Sequence, residues 1–528
     1  MPGVAVRWNG VGASGPMKIV APVFAVLAFL AIGGGPGWAT SDTQPSPSQN
    51  HAADLRNALK FVSDEAQKDH ADKTKLSEIV GTVIADPVFP MLPEDERHFA
   101  YIMAGALFYD TGKFELGRSA LTEAVKMPEA TDLDWDLAFK TDFRLHDYVP
   151  AAQDLTVLAR KWPSTLSDYN DRAIARVIDQ SDEDDPTGAV PNGLLSTLED
   201  IKWKPQDPFL ISDDLWLILV RLRLEQNDLA GAKRAAVSIS DPQTLIEMRA
   251  DKRFDAITQA DPGRFDVMKA YQSYVSDLRS QSAASPDKLE GINRLVEALL
   301  GIGRVDEALT ITTEAIAKAK AKPDAFSDKD DFLNWIMDSR ARALFALRRS
   351  DEGFAQLEEA AALKEHGARN VSQAINLADR YVAYDRPADA IKALEGFDTG
   401  LASEYGRMAL DDARANAYFE QGDSARLADV LQDMRAHAKD GSQPFLDAML
   451  TVGDLDAAAA EVISELRDPH KRLAMLRYLQ NYVENNHRSE REEATHKAWT
   501  AVKARADVLG EVAKVGRIET YDLLPPSY

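Results

Sequence analysis

The sequence has no cysteine, which excludes disulfides, thiolate catalysis and cysteine-held zinc or iron–sulfur centres. Its nine histidines are dispersed. Glu492 and His496 stand four apart on a predicted helix and share a face, but two ligands are too few to hold a metal. They read as an exposed polar pair. Ser181 to Asn192, "SDEDDPTGAVPN", concentrates carboxylates as calcium loops do. It lacks the alternating acids and closing glutamate of an EF-hand, and reads as a solvated acidic loop. Gly301-x-Gly303 lacks the third glycine of a dinucleotide loop, and no Walker loop, nucleophile elbow or His-Glu-x-x-His run occurs. Trp135, Trp203, Trp216, Trp335 and Trp499 can stack on a glycan or a peptide. Most recur at helical spacing with other apolar residues, which places them in a core. The expectation is a protein that binds without a covalent step, a cofactor or a metal.

What organises the chain is helical periodicity. Tyr101 to Ala124, "YIMAGALFYDTGKFELGRSALTEA", reads as two short helices folded back at Thr111-Gly112-Lys113. A glycine at the reversal takes the positive φ that ends a helix. Gly105 and Phe108 share a face before the turn, and Gly117, Leu121 and Ala124 share one after it. Small residues at Gly105, Gly117 and Ala124 let the helices approach, while Phe108, Phe114 and Leu121 fill the gaps. The next reversal is predicted at His146-Asp147-Tyr148, 34 residues after Gly112. Further hairpins turn at Asn227-Asp228, Gly303, Arg348, Asp385, Gly422 and Gly453. Matching small and apolar positions follow several of them: Ala308, Thr312 and Ala315, then Gly353, Leu357 and Ala360, then Ala390, Leu394 and Phe397.

In this pattern the chain resembles the tetratricopeptide (TPR) family, whose unit is a helix hairpin of about 34 residues. Successive turns from Gly303 to Gly453 are 45, 37, 37 and 31 residues apart, so the repeats are degenerate. The resemblance covers about two-thirds of the chain beyond its leader, and implies an all-α superhelical solenoid of antiparallel helix hairpins.

A length of 528 residues suits one long solenoid or about three ordinary domains. Hydrophobic content of 45% supports packed cores. The net charge of -24 disfavours nucleic acid and anionic lipid as partners. Met17-Lys18 precedes an apolar run, Ile19 to Ile32, and a small-x-small site at Gly37-Trp38-Ala39. That is the layout of a signal peptide over 1–39, with Met17 as an alternative start. The run has 14 residues, fewer than the roughly 20 a spanning helix needs. The expected location is the periplasm of a bacterial envelope, with an uncleaved anchor as the alternative. Thr40 to Asn50 reads as a flexible tether. Ser276 to Lys288 is the best internal boundary, separating a helical-repeat region (51–280) from TPR-like repeats (281–468). In the last region (469–528), one long helix is predicted from Pro469 through Val483 and another from Arg491 to Leu509. With an extended tail from Gly516 they form the cap that a solenoid needs.

The resemblance also implies where a partner docks, because the first helices of TPR hairpins line the concave side. In the register of Asp385 and Gly422 the inward positions include Asp338, Arg342, Phe345, Asp379, Asp412, Asn416 and Phe419. The best-known TPR peptide site is a clamp of lysines and asparagines that grips a carboxylate. Here the corresponding pairs are Asn293 with Glu297, Asp338 with Arg342, Ile375 with Asp379, and Asp412 with Asn416. Carboxylates replace the lysines. The expected partner is therefore a basic, partly apolar protein or peptide segment; the alternative is that these acids only solvate the groove. The function expected is a non-enzymatic exported scaffold or adaptor. A helical accessory subunit of an envelope enzyme and a purely structural spacer are the alternatives.

Overall fold

The computed structural model describes residues 47–210, 212–365, 367–397, 403–483 and 489–524. Nearly all of their regular structure is helical; the one sheet pairs Lys364–Glu365 with Ala368–Arg369. The expected signal segment lies outside the described residues. Of the expected tether, Pro47 to Asn50 form the first turn of a helix, where a proline is well placed.

Two compact units divide at Gly231 and Ala232. This is earlier than the boundary expected near 280. There, residues through Ala284 continue a helix, Val267–Ala284, that buries Tyr271, Val275 and Leu278. The first unit holds α1 (Pro47–Ala66), α2 (Lys73–Ile84), α3 (Glu94–Asp110), α4 (Phe114–Ala124), α5 (Asp132–Arg144), α6 (Tyr148–Lys161), α7 (Asp171–Asp184), α8 (Ala189–Asp200) and α9 (Asp213–Glu225). Each packs on the next. The helix α10 (Leu229–Ala236) spans the division. The second unit continues with α11 (Pro242–Ala250), α12 (Asp255–Thr258), α13 (Val267–Ala284), α14 (Leu289–Gly301), α15 (Val305–Ala321), α16 (Lys329–Ala346), α17 (Ser350–Ala362), α18 (Val371–Ala383) and α19 (Pro387–Ala393). It ends with α20 (Glu404–Gln421), α21 (Ser424–Ala436), α22 (Ser442–Val452), α23 (Leu455–Arg467), α24 (Arg472–Tyr478), α25 (Glu490–Lys503) and α26 (Ala506–Val515). First helices also pack on first helices: α14 on α16, α18 on α20, α20 on α22. This is an all-α array of antiparallel hairpins, TPR-like in period and packing.

The hairpin turns share one device. Gly112, His146, Asn227, Gly303, Arg348, Asp385, Gly422 and Gly453 all have positive φ, between 57° and 76°. After each, the next residue's N–H reaches the carbonyl five positions back at 2.8–3.0 Å, as in Lys113 to Phe108 and Asp454 to Met449. That bond satisfies a carbonyl the helix end leaves open.

In the opening hairpin the tight small residue is Gly105. A Cβ there would lie 2.5 Å from both Cγ and Cδ2 of the fully buried Leu121. At Gly117 the nearest atom would be 3.5 Å away, an ordinary contact. Gly105→Ala should therefore cost about 1–3 kcal/mol by overpacking. Gly117→Ala should be neutral or gain up to about 1 kcal/mol of helix propensity. Denaturant melts of the two variants check the pair.

The end of the chain departs from expectation. The helix after Pro469 is short, Arg472–Tyr478, and the chain then runs extended at Asn481. Gln480, 2% exposed, is a fair helix former put to another use. Its amide donates to Leu476 O at 2.6 Å and accepts from Glu519 N at 2.7 Å, joining helix end to tail. A break at Ala504 and Arg505 separates α25 from α26. Residues 516–524 are extended, as expected, but they lie against the start of the unit. Arg517 N donates to Ala250 O at 2.9 Å, and the Arg517 guanidinium meets Asp255 at 2.6 and 2.7 Å. Arg249 pairs with Glu519 at 2.9 Å, and Leu524 N donates to Gly301 O at 2.9 Å. With α24 packed on α11, the two ends of this unit are stitched together.

Candidate binding groove

The first helices α16, α18, α20 and α22 each carry one carboxylate at one of two positions a helical turn apart: Asp338, Asp379, Asp412 and Asp447. Asp338 and Asp412 lie ten residues before the positive-φ residues Arg348 and Gly422. Asp379 and Asp447 lie six before Asp385 and Gly453. The two offsets differ by one helical turn, so the four carboxylates belong to one face.

Three of these four carboxylates are held by amides. Asn376 donates to Asp338 at 3.1 Å, Asn416 to Asp412 at 3.3 Å, and Gln443 to both oxygens of Asp447 at 3.2 Å. Asn293 donates likewise to Glu297 on α14 at 3.3 Å. An amide satisfies a lone pair without cancelling charge. Among the described residues no lysine or arginine pairs with Asp379, Asp412 or Asp447, and Asp379 Oδ1 has no hydrogen-bond donor. Burial pushes the Asp379 carboxyl up to about 7, with Asp447 adding repulsion. Burial takes Asp447 to about 6. Asp412 is raised well above the usual carboxylate range by burial, then by the charges of Asp447 and Asp379. Burial also raises Asp338, against the pull of Arg342 and Arg380. Tyr405 is pushed to about 12 by burial and by the charges of Asp447 and Asp412. Tyr478 is raised by burial first and then by Asp447, and its ring packs 4.6 Å from that of Trp499.

Of the residues expected in the groove, Asp338, Asp379, Asp412 and Asn416 come together on this face. Arg342 is beside Asp338. Phe345 is elsewhere: its ring is buried inside the α16–α17 hairpin, edge-on to Phe354 at 5.1 Å, with Arg380 over it at 4.8 Å. The cause is Gly353, where a Cβ would stand 2.9 Å from that ring. Phe419 keeps 37% of its surface open, but the Arg491 guanidinium lies over it at 4.9 Å.

Arg491 belongs to α25, which crosses the ends of three first helices. Arg491 pairs with Glu420 of α20 at 2.9 Å and donates to Thr451 O of α22 at 3.2 Å. Glu492 accepts from Arg380 of α18 at 3.1 Å. Glu492 is thus buried, and with Ser489 it closes a capping box. It is not half of an exposed pair with His496. Asp447 and Gln443 were missed, although the same register applied to the Gly453 hairpin selects both. Tyr478 carries no periodic signal, because it arrives through the closure of the unit.

In the first unit, Asp142 and Asp154 form a buried acid pair beside Arg118. Burial first, then their mutual repulsion for Asp154, takes them to about 6 and about 8. Within the acidic loop, Asp185 accepts from Thr187 N at 3.0 Å and Val190 N at 2.8 Å, so it organises the start of α8. Among the described residues no group of three or more potential metal ligands occurs, and no helix is long and apolar enough to cross a membrane.

No protein-family model and no curated protein matches the sequence. Solved structures do. A chain of the structure of Naa15/Naa10 bound to HypK-THB is 12% identical, over 93% of this chain and 74% of that one, with a TM-score of 0.25. The APC/C hetero-tetramer Cut9-Hcn1 gives 12%, 93% and 98%, and 0.26. A Rap protein complexed with competence and sporulation factor gives 12%, 89% and 99%, and 0.28. At these scores the description of the fold rests on the helix packing given above.

Proposed function

We propose that the chain is a non-enzymatic scaffold that captures a basic, partly apolar peptide or protein segment on the inner face of its second unit. The observation that carries this reading is the row of carboxylates, one per hairpin, of which Asp379, Asp412 and Asp447 pair with no lysine or arginine among the described residues. Burial disfavours the charged form of these carboxyls, and a cationic occupant would offset that cost. The half-buried setting of Asp379, Asp412 and Asn416 leaves part of each surface open to such an occupant.

The test is an array of peptides of equal length, basic and apolar against acidic and apolar, titrated onto the full chain. The basic set should bind, and its affinity should fall as salt rises, because charge is screened beyond about 8 Å at physiological ionic strength. A chain carrying Asp379→Asn, Asp412→Asn and Asp447→Asn should lose that preference. Equal capture of both sets, or unchanged salt-sensitive binding by the triple variant, removes the groove from the reading.

We also propose that the protein is exported, on the layout of residues 1–39. Mass spectrometry of the native protein should find a mature terminus near Thr40. A cytoplasmic protein with an intact Met1 or Met17 terminus overturns export and leaves the groove untouched.

A further inference from the structure

We infer that the first half of α25 is an internal stopper on the capture face, and that a basic segment is captured by displacing it. This rests on the capture reading and adds the regulation of that face. The ground is where the helix lies. On α20, Asp412, Asn416 and Phe419 follow one another at four and then three residues, along one stripe. On α22, Thr451 stands four after Asp447. Arg491 lands where both helices end. Its guanidinium lies 4.9 Å from the centre of the Phe419 ring, meets Glu420 at 2.9 Å and donates to Thr451 O at 3.2 Å. On α18, Arg380 follows Asp379 directly and donates to Glu492 at 3.1 Å. Two adjacent residues of α25 thus reach all three helices that carry Asp379, Asp412 and Asp447. Burial lowers the basicity of Arg491, and the charges of Glu420 and then Asp412 oppose it. A cation of this chain already stands at the edge of the row, in the place the capture reading assigns to a partner.

The grip of this half is polar. The buried residues of its first two turns are Glu492 and Thr495. Its apolar anchors, Trp499 and Val502, come later and belong to the core shared with α22, α23 and α24. The Arg380 and Glu492 side chains are 15% and 9% exposed. A buried ion pair gains in attraction about what its desolvation costs. Such contacts fix where the helix lies while adding little to hold it there. The second half is held by burial of a tryptophan and a valine, which is worth more. The helix is built to let go at its amino-terminal end and to stay attached at the other. A basic segment that stacks on Phe419 and pairs with Glu420 competes with Arg491 for the same groups.

The test uses the full chain and a basic, apolar peptide of the array. Arg491→Gln combined with Glu492→Gln keeps the net charge, and a glutamine at 492 still suits the capping box with Ser489. This variant should bind the peptide about tenfold tighter, because affinity rises with the fraction of chains whose face is open. Glu493→Gln combined with Lys497→Gln removes the same two charges from the outward ion pair of the same helix, and should leave affinity unchanged. In the parent, added peptide should speed amide hydrogen exchange over 490–497 and leave 499–503 protected. Melts without peptide verify that each variant is folded, and the exchange measurement decides without any substitution. Equal or weaker binding by the first variant, an equal gain in the second, or undiminished protection of 490–497 with peptide bound overturns the stopper and leaves capture standing. Binding by the first variant and not by the parent supports both. If no peptide of the array binds any of the chains, both fall.

Discussion

A chain ending at Val515 should unfold with its second unit destabilised by roughly 5 kcal/mol, on the usual scale of side-chain burial and hydrogen bonding. The lost stretch buries Leu523 and Tyr521, at 2% and 7% exposure, each worth about 1.5–3 kcal/mol. It also carries Arg517 with its bonds to Ala250, Arg249 and Asp255, and Glu519 with its bond to Arg249. The part-exposed ion pairs add at most about 1 kcal/mol each. Whole domains are stable by only about 5–15 kcal/mol, so this loss is a large share. Gly516→Ala is the single-residue version. Its Cβ would stand 2.5 Å from Ala250 O, a backbone atom pinned by Arg517 N, and 2.7 Å from Leu476. Denaturant melts followed by helix content measure both. A truncated chain within about 1 kcal/mol of the parent would falsify the stitched closure.

The second large effect is a stability gain at a residue of the proposed groove. Asp379 is raised from 3.8 to about 7 by burial and by Asp447, with Arg380 opposing. Between those values the folded chain holds a proton that the unfolded chain has released. Its contribution is therefore complete below about pH 4, declines as pH rises through about 7, and stays lost above. Asp379→Asn should stabilise the protein by about 2 kcal/mol at pH 8, allowing for the part of the carboxyl open to water, and by little at pH 4. The difference between variant and parent removes Asp142 and Asp154, which titrate with the same sign elsewhere, and reports Asp379 together with its coupling to Asp412 and Asp447. Equal pH slopes for the two chains would mean that the carboxyl is not desolvated as described.

The turns were readable because a helix that ends in left-handed backbone favours glycine, asparagine or aspartate, and Gly112, Asn227 and Asp385 carry that mark. Arg348 carries none and was found by period alone. Lys202, with φ 56° and the same bond from Trp203 to Leu198, had neither mark nor period and was missed. The acidic row was readable wherever register could be carried from a neighbouring turn. Phe345 was misplaced because a long side chain follows available volume, and Gly353 on the facing helix provides it. The closure was invisible, since Arg249 and Glu519 meet across 270 residues of chain without any periodic trace. For the same reason α25 was readable as a helix but not as one laid across the first helices.

Stitching has a consequence for how this unit can vary and respond. An open repeat array behaves like a spring: its end repeats fray first, its stability is a sum of neighbour terms, and a repeat gained or lost is tolerated. Joining α11 to α24 and residues 516–524 removes the free ends. Curvature can no longer relax by opening at a terminus, so the spacing between the carboxylates of α18, α20 and α22 is held as on a fixed ruler. On the proposed capture reading, a ligand would meet a face that selects by spacing instead of bending to fit. Inserting or deleting a single hairpin should break the loop outright, which makes the number of repeats in this unit a quantity that the closure itself enforces.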